Sequence, residues 1–270
     1  TGVETCALPI FFEVAGPVAT ILHNRPHTRN AENKSLLEEM DQALQAAVAD
    51  DNVRVIIIGG IGDHFSSGHD VIEAQRDRPN LTVEQRWVHE HRYYFDYAMR
   101  IWDCPKPTIA RVQGACIAGA FMVANMCDMI VASEDAYFTD PVCHSMAAAS
   151  VEMLVHPWVM GTRTAKEFLF TGRKVGAAEA QQWGMVNKVV PRAELDAQTM
   201  ALAQHIAKAQ PFALRLVKRS LNRALDMQGF RTALQAHFDT HQLSHVSKSF
   251  MEAKREGRRK TIDMNRELKI

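Results

Sequence analysis

The chain has 270 residues, with 31 Lys+Arg against 31 Asp+Glu and 47% hydrophobic residues. Its zero formal charge excludes a uniformly basic nucleic-acid binder and an acidic solvating chain, and its apolar content requires a substantial core. Five cysteines, Cys6, Cys104, Cys116, Cys127 and Cys143, share no CxxC spacing, so neither a disulfide framework nor a zinc knuckle is expected.

The predicted elements begin at Val14 to Leu22, where apolar residues flank Gly16-Pro17 and read as two short strands meeting at a turn. Ser35 opens a helix whose Leu36, Leu37, Met40, Leu44 and Val48 fall three or four apart. Val53 to Ile58 is a β-branched run closed by Gly59-Gly60, the pattern of a buried strand. Thr82 to Ile101 reads as a helix carrying Trp87, His89, His91, Tyr93, Tyr94 and Tyr97. His89 and His91 lie two apart and face different ways, so they make no metal pair, and no metal site is expected. Thr108 to Val112 and Met129 to Ala132 are further strands separated by a helix at Phe121 to Met126. From Thr162 onward the pattern is helical, with segments near 164–170, 177–183, 194–209, 212–226 and 230–244. Alternating strands and helices predict an α/β fold around a mostly parallel sheet.

Two strand exits are rich in small residues: Phe65-Ser66-Ser67-Gly68-His69-Asp70 and Gly114-Ala115-Cys116-Ile117-Ala118-Gly119-Ala120. Neither completes a phosphate-cradling glycine motif. Two such turns could aim two main-chain N–H groups at one carbonyl oxygen, or could simply permit tight helix–sheet packing.

Asn24-Arg25-Pro26, Asn30-Ala31, FSSGHD at 65–70, Lys106 to Ala110 with Gln113-Gly114, Cys127-Asp128, Thr171-Gly172 and Trp183 to Pro191 together resemble the crotonase (enoyl-CoA hydratase/isomerase) superfamily over roughly residues 10 to 225. The resemblance implies a spiral of repeated ββα units with a C-terminal helical trimerisation region. It divides the chain into an acyl-CoA-binding core, 1–200, and a helical oligomerisation region, 201–270. It further implies an enzyme of fatty acid metabolism, a lyase, isomerase or thioester-linked hydrolase, that stabilises a thioester enolate between the main-chain N–H groups of His69 and Gly119. No permanently bound cofactor is implied; coenzyme A arrives as part of the substrate. The partner is an acyl-CoA thioester, with no nucleic acid and no membrane, in a homotrimer or dimer of trimers. The matched coenzyme A contacts are His27, Thr28 and Arg29 with the strip Ser67, His69, Asp70, Val71 and Ile72. A cytoplasmic protein is expected, because no secretory signal or membrane-length apolar run is present.

The pattern departs from the family at its two catalytic glutamates, whose positions hold Met122 and Val142. Neither can ionise, so hydration through two glutamates is not expected. Replacement residues are sought in 139–156, where Glu152 and His144 are the first candidates and Asp140 and His156 complete the titratable set. The alternative is an acyl-CoA-binding paralogue with little catalytic power and a structural or regulatory role.

Charge is divided unequally along the chain. Residues 1–210 hold 18 Lys+Arg against 25 Asp+Glu, and residues 211–270 hold 13 against 6. That basic end, including Lys218, Arg219, Arg258, Arg259 and Lys260, could attract the phosphates of coenzyme A or could be a solvated tail.

Overall fold

The computed structural model describes residues 8–256. Arg258, Arg259 and Lys260 of the basic end, and Cys6, lie outside the described residues; the other four cysteines are unpaired.

The two N-terminal strands form a hairpin, β1 (Ile10–Ala15) with β2 (Val18–His23), antiparallel about the positive-φ Gly16. The helix Lys34–Ala49 follows, its first turn capped by Asn33, whose side chain accepts from the Leu36 N–H. Its stripe of Leu36, Leu37, Met40, Ala43, Leu44 and Ala47 is buried. Then come β3 (Val55–Gly60), β4 (Thr108–Val112), β5 (Ala115–Ile117), β6 (Met129–Ser133), β7 (Tyr137–Thr139), β8 (Val175–Gly176) and β9 (Lys188–Val190).

They make two sheets. One has the order β1-β2-β3-β4-β6-β9, parallel except at β1, and the other the order β5-β7-β8. The chain passes from the large sheet to the small one twice, at β4 to β5 and at β6 to β7, and a helix, Gly119–Met126, returns it between these passes. This is the expected ββα repeat.

Alternation along the large sheet divides the core. Val55 and Ile57 of β3 face one way with Ile109 and Val131 and pack on Leu195, Ala203 and Ala207. Ile56 and Ile58 face the other way, into the larger cluster with Leu36, Phe65 and Phe121. The helix Leu195–Ile206 thus covers one sheet face, and the expected division at residue 200 falls inside it.

The segment read as one helix over 82–101 is helical but not uniform. An α-helix, Val83–Glu90, and another, Asp96–Trp102, are joined through a π turn, His91–Phe95. Such turns are rare and often occur at functional sites. The C-terminal helices are Pro211–Met227, Phe230–Ser244 and Lys248–Glu256. Among the described residues no helix is long and apolar enough to cross a membrane.

Several motif residues are structural. Asn30 accepts from the Arg25 N–H and donates to the carbonyls of Ile61 and His64, tying two loops together. Asp128 accepts from both the N–H and the hydroxyl of Thr108 and from Lys218 Nζ at 2.7 Å. Lys218 is buried and also donates to the Lys106 carbonyl. Its charge is used inside the subunit, not toward a phosphate.

Candidate active site

The two small-residue segments lie side by side. Ser66 N–H donates to the Ala115 carbonyl and Ile117 N–H to the Ser66 carbonyl, at 3.1 and 3.2 Å. Contact is close enough to exclude larger residues: a Cβ on Gly68 would lie 2.6 Å from the Ile117 carbonyl oxygen and 3.1 Å from the Gly119 nitrogen. Gly68 also has φ +82°, where L side chains are strained.

Two main-chain N–H groups, those of His69 and Gly119, find no main-chain acceptor in this arrangement. Glu32 N–H donates to the Gly68 carbonyl and Asp70 N–H to the Glu32 carbonyl, a parallel bridge that turns the intervening His69 N–H to the opposite side. Gly119 is the first residue of its helix, where the N–H has no acceptor within the helix. The preceding Ala118 holds φ +50° and ψ −110°, a sparsely populated conformation of the kind that collects at functional sites.

Beside them is a cavity of about 270 Å³ lined by His69, His89, Tyr94, Val142, Glu152 and His241, among others. At its wall the His69 imidazole stacks on Tyr94 of the π turn, with centroids 3.6 Å apart and planes at 14°. The ring occupies the space that a side chain at Gly119 would need, since a Cβ there would lie 2.4 Å from His69 Cε1. His69 Nε2 is 3.1 Å from Glu152 Oε2, and Nδ1 is 3.2 Å from Glu32 Oε2.

Burial opposes a charge on the imidazole, but Glu152 and then Glu32 outweigh it and raise the His69 pKa to about 10. Burial likewise opposes ionisation of Glu152, and the charges of His69 and His241 overcome it, holding that carboxyl below its ordinary range. At neutral pH the pair is therefore imidazolium and carboxylate.

The network continues from Glu152 to the C-terminal helix. Glu152 Oε1 is 3.6 Å from His241 Nε2, which is 3.5 Å from Glu90 Oε2. Glu90 accepts from Gln242 at 2.6 Å and from Arg86 at 3.0 Å. Burial pushes the nearby His245 down to about 4, so it is neutral at physiological pH.

The structure brings His69 and Glu152 together at the cavity, with Gly119 packed against the His69 ring and with Ser67 and Val71 also lining the cavity. It does not bring His144 there. That ring points out of the loop, with Nε2 2.7 Å from the Phe170 carbonyl oxygen and its edge against Gly172. Asp70 caps the helix Val71–Asp77 through the Glu73 N–H and pairs with Arg25 at 2.9 Å. His27 and Thr28 sit in a short 3₁₀ turn, Pro26–Thr28, ending at Arg29, whose carbonyl accepts from the Ser67 N–H. Ile72 is exposed. Of the two non-ionisable positions, Val142 lines the cavity and Met122 is fully buried in the core.

His89 but not His91 lines the cavity, as their spacing requires. Sequence reading missed His241 and Glu90 as lining residues of this cavity, and left Tyr94 between core packing and a stacking role. Their only signal was the density of histidines and aromatics in two helices far apart in the chain.

The chain matches the family model "Enoyl-CoA hydratase/isomerase" over residues 13–260. It belongs to that family. A solved enoyl-CoA hydratase/isomerase from Xanthobacter autotrophicus Py2 is 38% identical, with a TM-score of 0.88 and coverage of 95% of this chain and 96% of that one. A "probable ENOYL-COA Hydratase" structure from Mycobacterium smegmatis is 49% identical, with a TM-score of 0.83 and coverage of 87% and 94%. A 4-chlorobenzoyl coenzyme A dehalogenase of Arthrobacter sp is 32% identical over 206 residues, 76% of this chain and 74% of that protein. The protein is thus a crotonase-fold enzyme of a superfamily whose named relatives include both hydratases and a dehalogenase.

Proposed function

We propose that this enoyl-CoA hydratase/isomerase family member acts on an acyl-CoA thioester by holding the thioester carbonyl between the His69 and Gly119 N–H groups while Glu152 takes a proton from the acyl chain, whose C–H electron pair becomes the enolate. The observation that carries this reading is the His69–Glu152 pair at 3.1 Å on the cavity wall, directly beside both N–H donors. Donors fixed by the backbone require no reorganisation as negative charge develops on the thioester oxygen.

The resting charges support a division of roles. Glu152 is the group able to accept a proton, and the His69 imidazolium can only donate a hydrogen bond or stabilise negative charge. Water activation by two glutamates is unavailable, because Met122 and Val142 cannot carry a proton. Coenzyme A would reach the cavity past the 27–29 turn and the 67–72 strip, and Asp70 would hold that strip's shape without transferring protons.

Enolate formation can be tested without knowing the final product. Acyl-CoA thioesters, straight, branched, cyclic and aryl, are incubated with enzyme in D₂O and examined by mass spectrometry for deuterium at the α-carbon. Exchange by the parent and its loss in Glu152→Gln support the proposal; fast hydration of crotonyl-CoA by Glu152→Gln would overturn it. The second reading, an acyl-CoA-binding paralogue, is favoured by the Met122 and Val142 replacements. Tight thioester binding with neither exchange nor turnover on any panel member would establish it.

A further inference from the structure

We infer that Glu90, His241 and His245 form a binding site for a divalent transition-metal ion, zinc foremost, in the wall of the acyl cavity. The inference does not depend on which reaction the enzyme performs.

His241 Nε2 lies 3.5 Å and His245 Nδ1 3.7 Å from Glu90 Oε2, and all three donor atoms fall within 4.8 Å of one another. These separations exceed the 2.7–3.2 Å of a direct N–H···O bond. They match donor atoms arranged around one ion: bonds of about 2.0–2.1 Å in a tetrahedron place neighbouring ligands about 3.4 Å apart.

Polar satisfaction points the same way. His241 Nε2 and His245 Nδ1 are both buried and without a hydrogen-bond partner, although each faces a carboxylate. The other ring nitrogen of His241 is 3.0 Å from the Ser150 carbonyl oxygen, an acceptor that can only take a proton from Nδ1. This places a proton on Nδ1 and turns Nε2 into the cluster, where it either carries a second proton or presents a lone pair, the latter being the arrangement that metal-bound histidines commonly show. A lone pair facing Glu90 at 3.5 Å and Glu152 at 3.6 Å calls for a cation between them. A proton is one such cation and a divalent ion is another.

Glu90 retains capacity for a metal bond. Oε1 accepts from Arg86 and Oε2 from Gln242, which leaves further lone-pair positions on the carboxylate. Gln242 and Arg86 would hold it in orientation, as outer partners of a ligand do. All three ligands line the cavity, so a fourth position remains for solvent, substrate or Glu152 Oε1. Two imidazoles and one carboxylate suit zinc and its neighbours better than magnesium or calcium.

The test uses the full chain and Zn²⁺ alone. Protein is loaded, dialysed, and analysed by plasma mass spectrometry, and affinity is measured by competition with a chromophoric chelator. One zinc per chain is expected, with affinity reduced at least about 100-fold in both His245→Ala and Glu90→Gln, since losing even an outer partner costs 10–100-fold. His89→Gln, which lines the same cavity without belonging to the cluster, should bind as the parent does. Should a variant not fold, the visible spectrum of parent protein loaded with Co²⁺ decides, because tetrahedral His/carboxylate ligation gives intense bands that hydrated Co²⁺ lacks. Failure of the folded parent to retain stoichiometric zinc, or parental affinity in both ligand variants, would overturn the inference.

Discussion

Two buried histidine–carboxylate pairs share the loop 139–156, and they behave differently. In the first, Asp140 Oδ2 lies 3.3 Å from His156 Nε2, and both side chains are sealed from solvent. His156 stacks on Phe121 at 4.7 Å, and Asp140 accepts from the Ser150 hydroxyl and the Val142 N–H. Burial opposes the Asp140 charge, but His156, Ser150 and Val142 together hold its carboxyl below the ordinary range. In the second pair Glu152 meets His69 at a similar distance, and both residues line the cavity. A perturbed carboxyl therefore does not by itself mark chemistry; access does. Asp140 shapes the loop, and Glu152 is the carboxylate that the loop presents to the cavity.

The largest expected effect separates the pairs by activity. Glu152→Gln keeps the size and most hydrogen bonds of the side chain but removes its basicity, so turnover should fall about 10²–10⁴-fold, the usual contribution of a positioned acid or base. Steady-state kinetics on whichever thioester the parent turns over checks this. A loss below tenfold would place the chemistry elsewhere.

Asp140→Asn should act on stability instead. Removing one partner of a buried pair leaves the other without compensation and costs about 3–5 kcal/mol, measurable by urea titration. Activity per folded molecule should stay within a few-fold of the parent. A variant of parental stability and abolished turnover would reverse the assignments of the two pairs.

A pH titration sharpens the comparison through His69. Its pKa is raised in the fold to about 10, so the folded state holds a proton that the unfolded chain has released above about 6.5. The stabilisation is complete below pH 6.5 and is lost as pH rises toward 10. The parent should therefore lose stability across that window, and His69→Gln should show a flatter profile in the same thermal-melt series. An identical slope in parent and variant would mean that the imidazole is not held protonated.

Much of this molecule is legible in its sequence. Periodicity located the hairpin at Gly16, the helix after Asn33, β4 and the Phe230–Ser244 helix. Glu152 was singled out by its place in a loop whose family residues are missing. The pairing of the His69 imidazole with it was not foreseen, because the resemblance directs attention to the His69 main chain and the two residues lie 83 apart in sequence. His144 shares the loop with Glu152, yet positive φ at Ala147 and Ser150 reverses the chain and sends the two side chains apart. No hydrophobic pattern announces such reversals, nor the π turn that brings Tyr94 onto His69. The helix of His241 resembled an assembly element, and its polar face became intelligible only against Glu90 and Glu152.

Ser150 offers the smallest and most discriminating prediction, because it touches Asp140 of the first pair and His241, the neighbour of Glu152 in the second. Its hydroxyl donates to Asp140 at 2.5 Å and its carbonyl accepts from His241 at 3.0 Å. Ser150→Ala removes only the first contact, since alanine retains the carbonyl and adopts φ +62° at similar strain. A hydrogen bond to a charged group contributes about 1.5–3 kcal/mol, so stability should fall by that amount. If Asp140 and Glu152 are independent, the loss should add to that of Glu152→Gln within about 0.5 kcal/mol in a double-mutant cycle. A coupling above about 1 kcal/mol would show that the sealed pair tunes the accessible one through the Ser150 backbone, and the two would then have to be treated as one network.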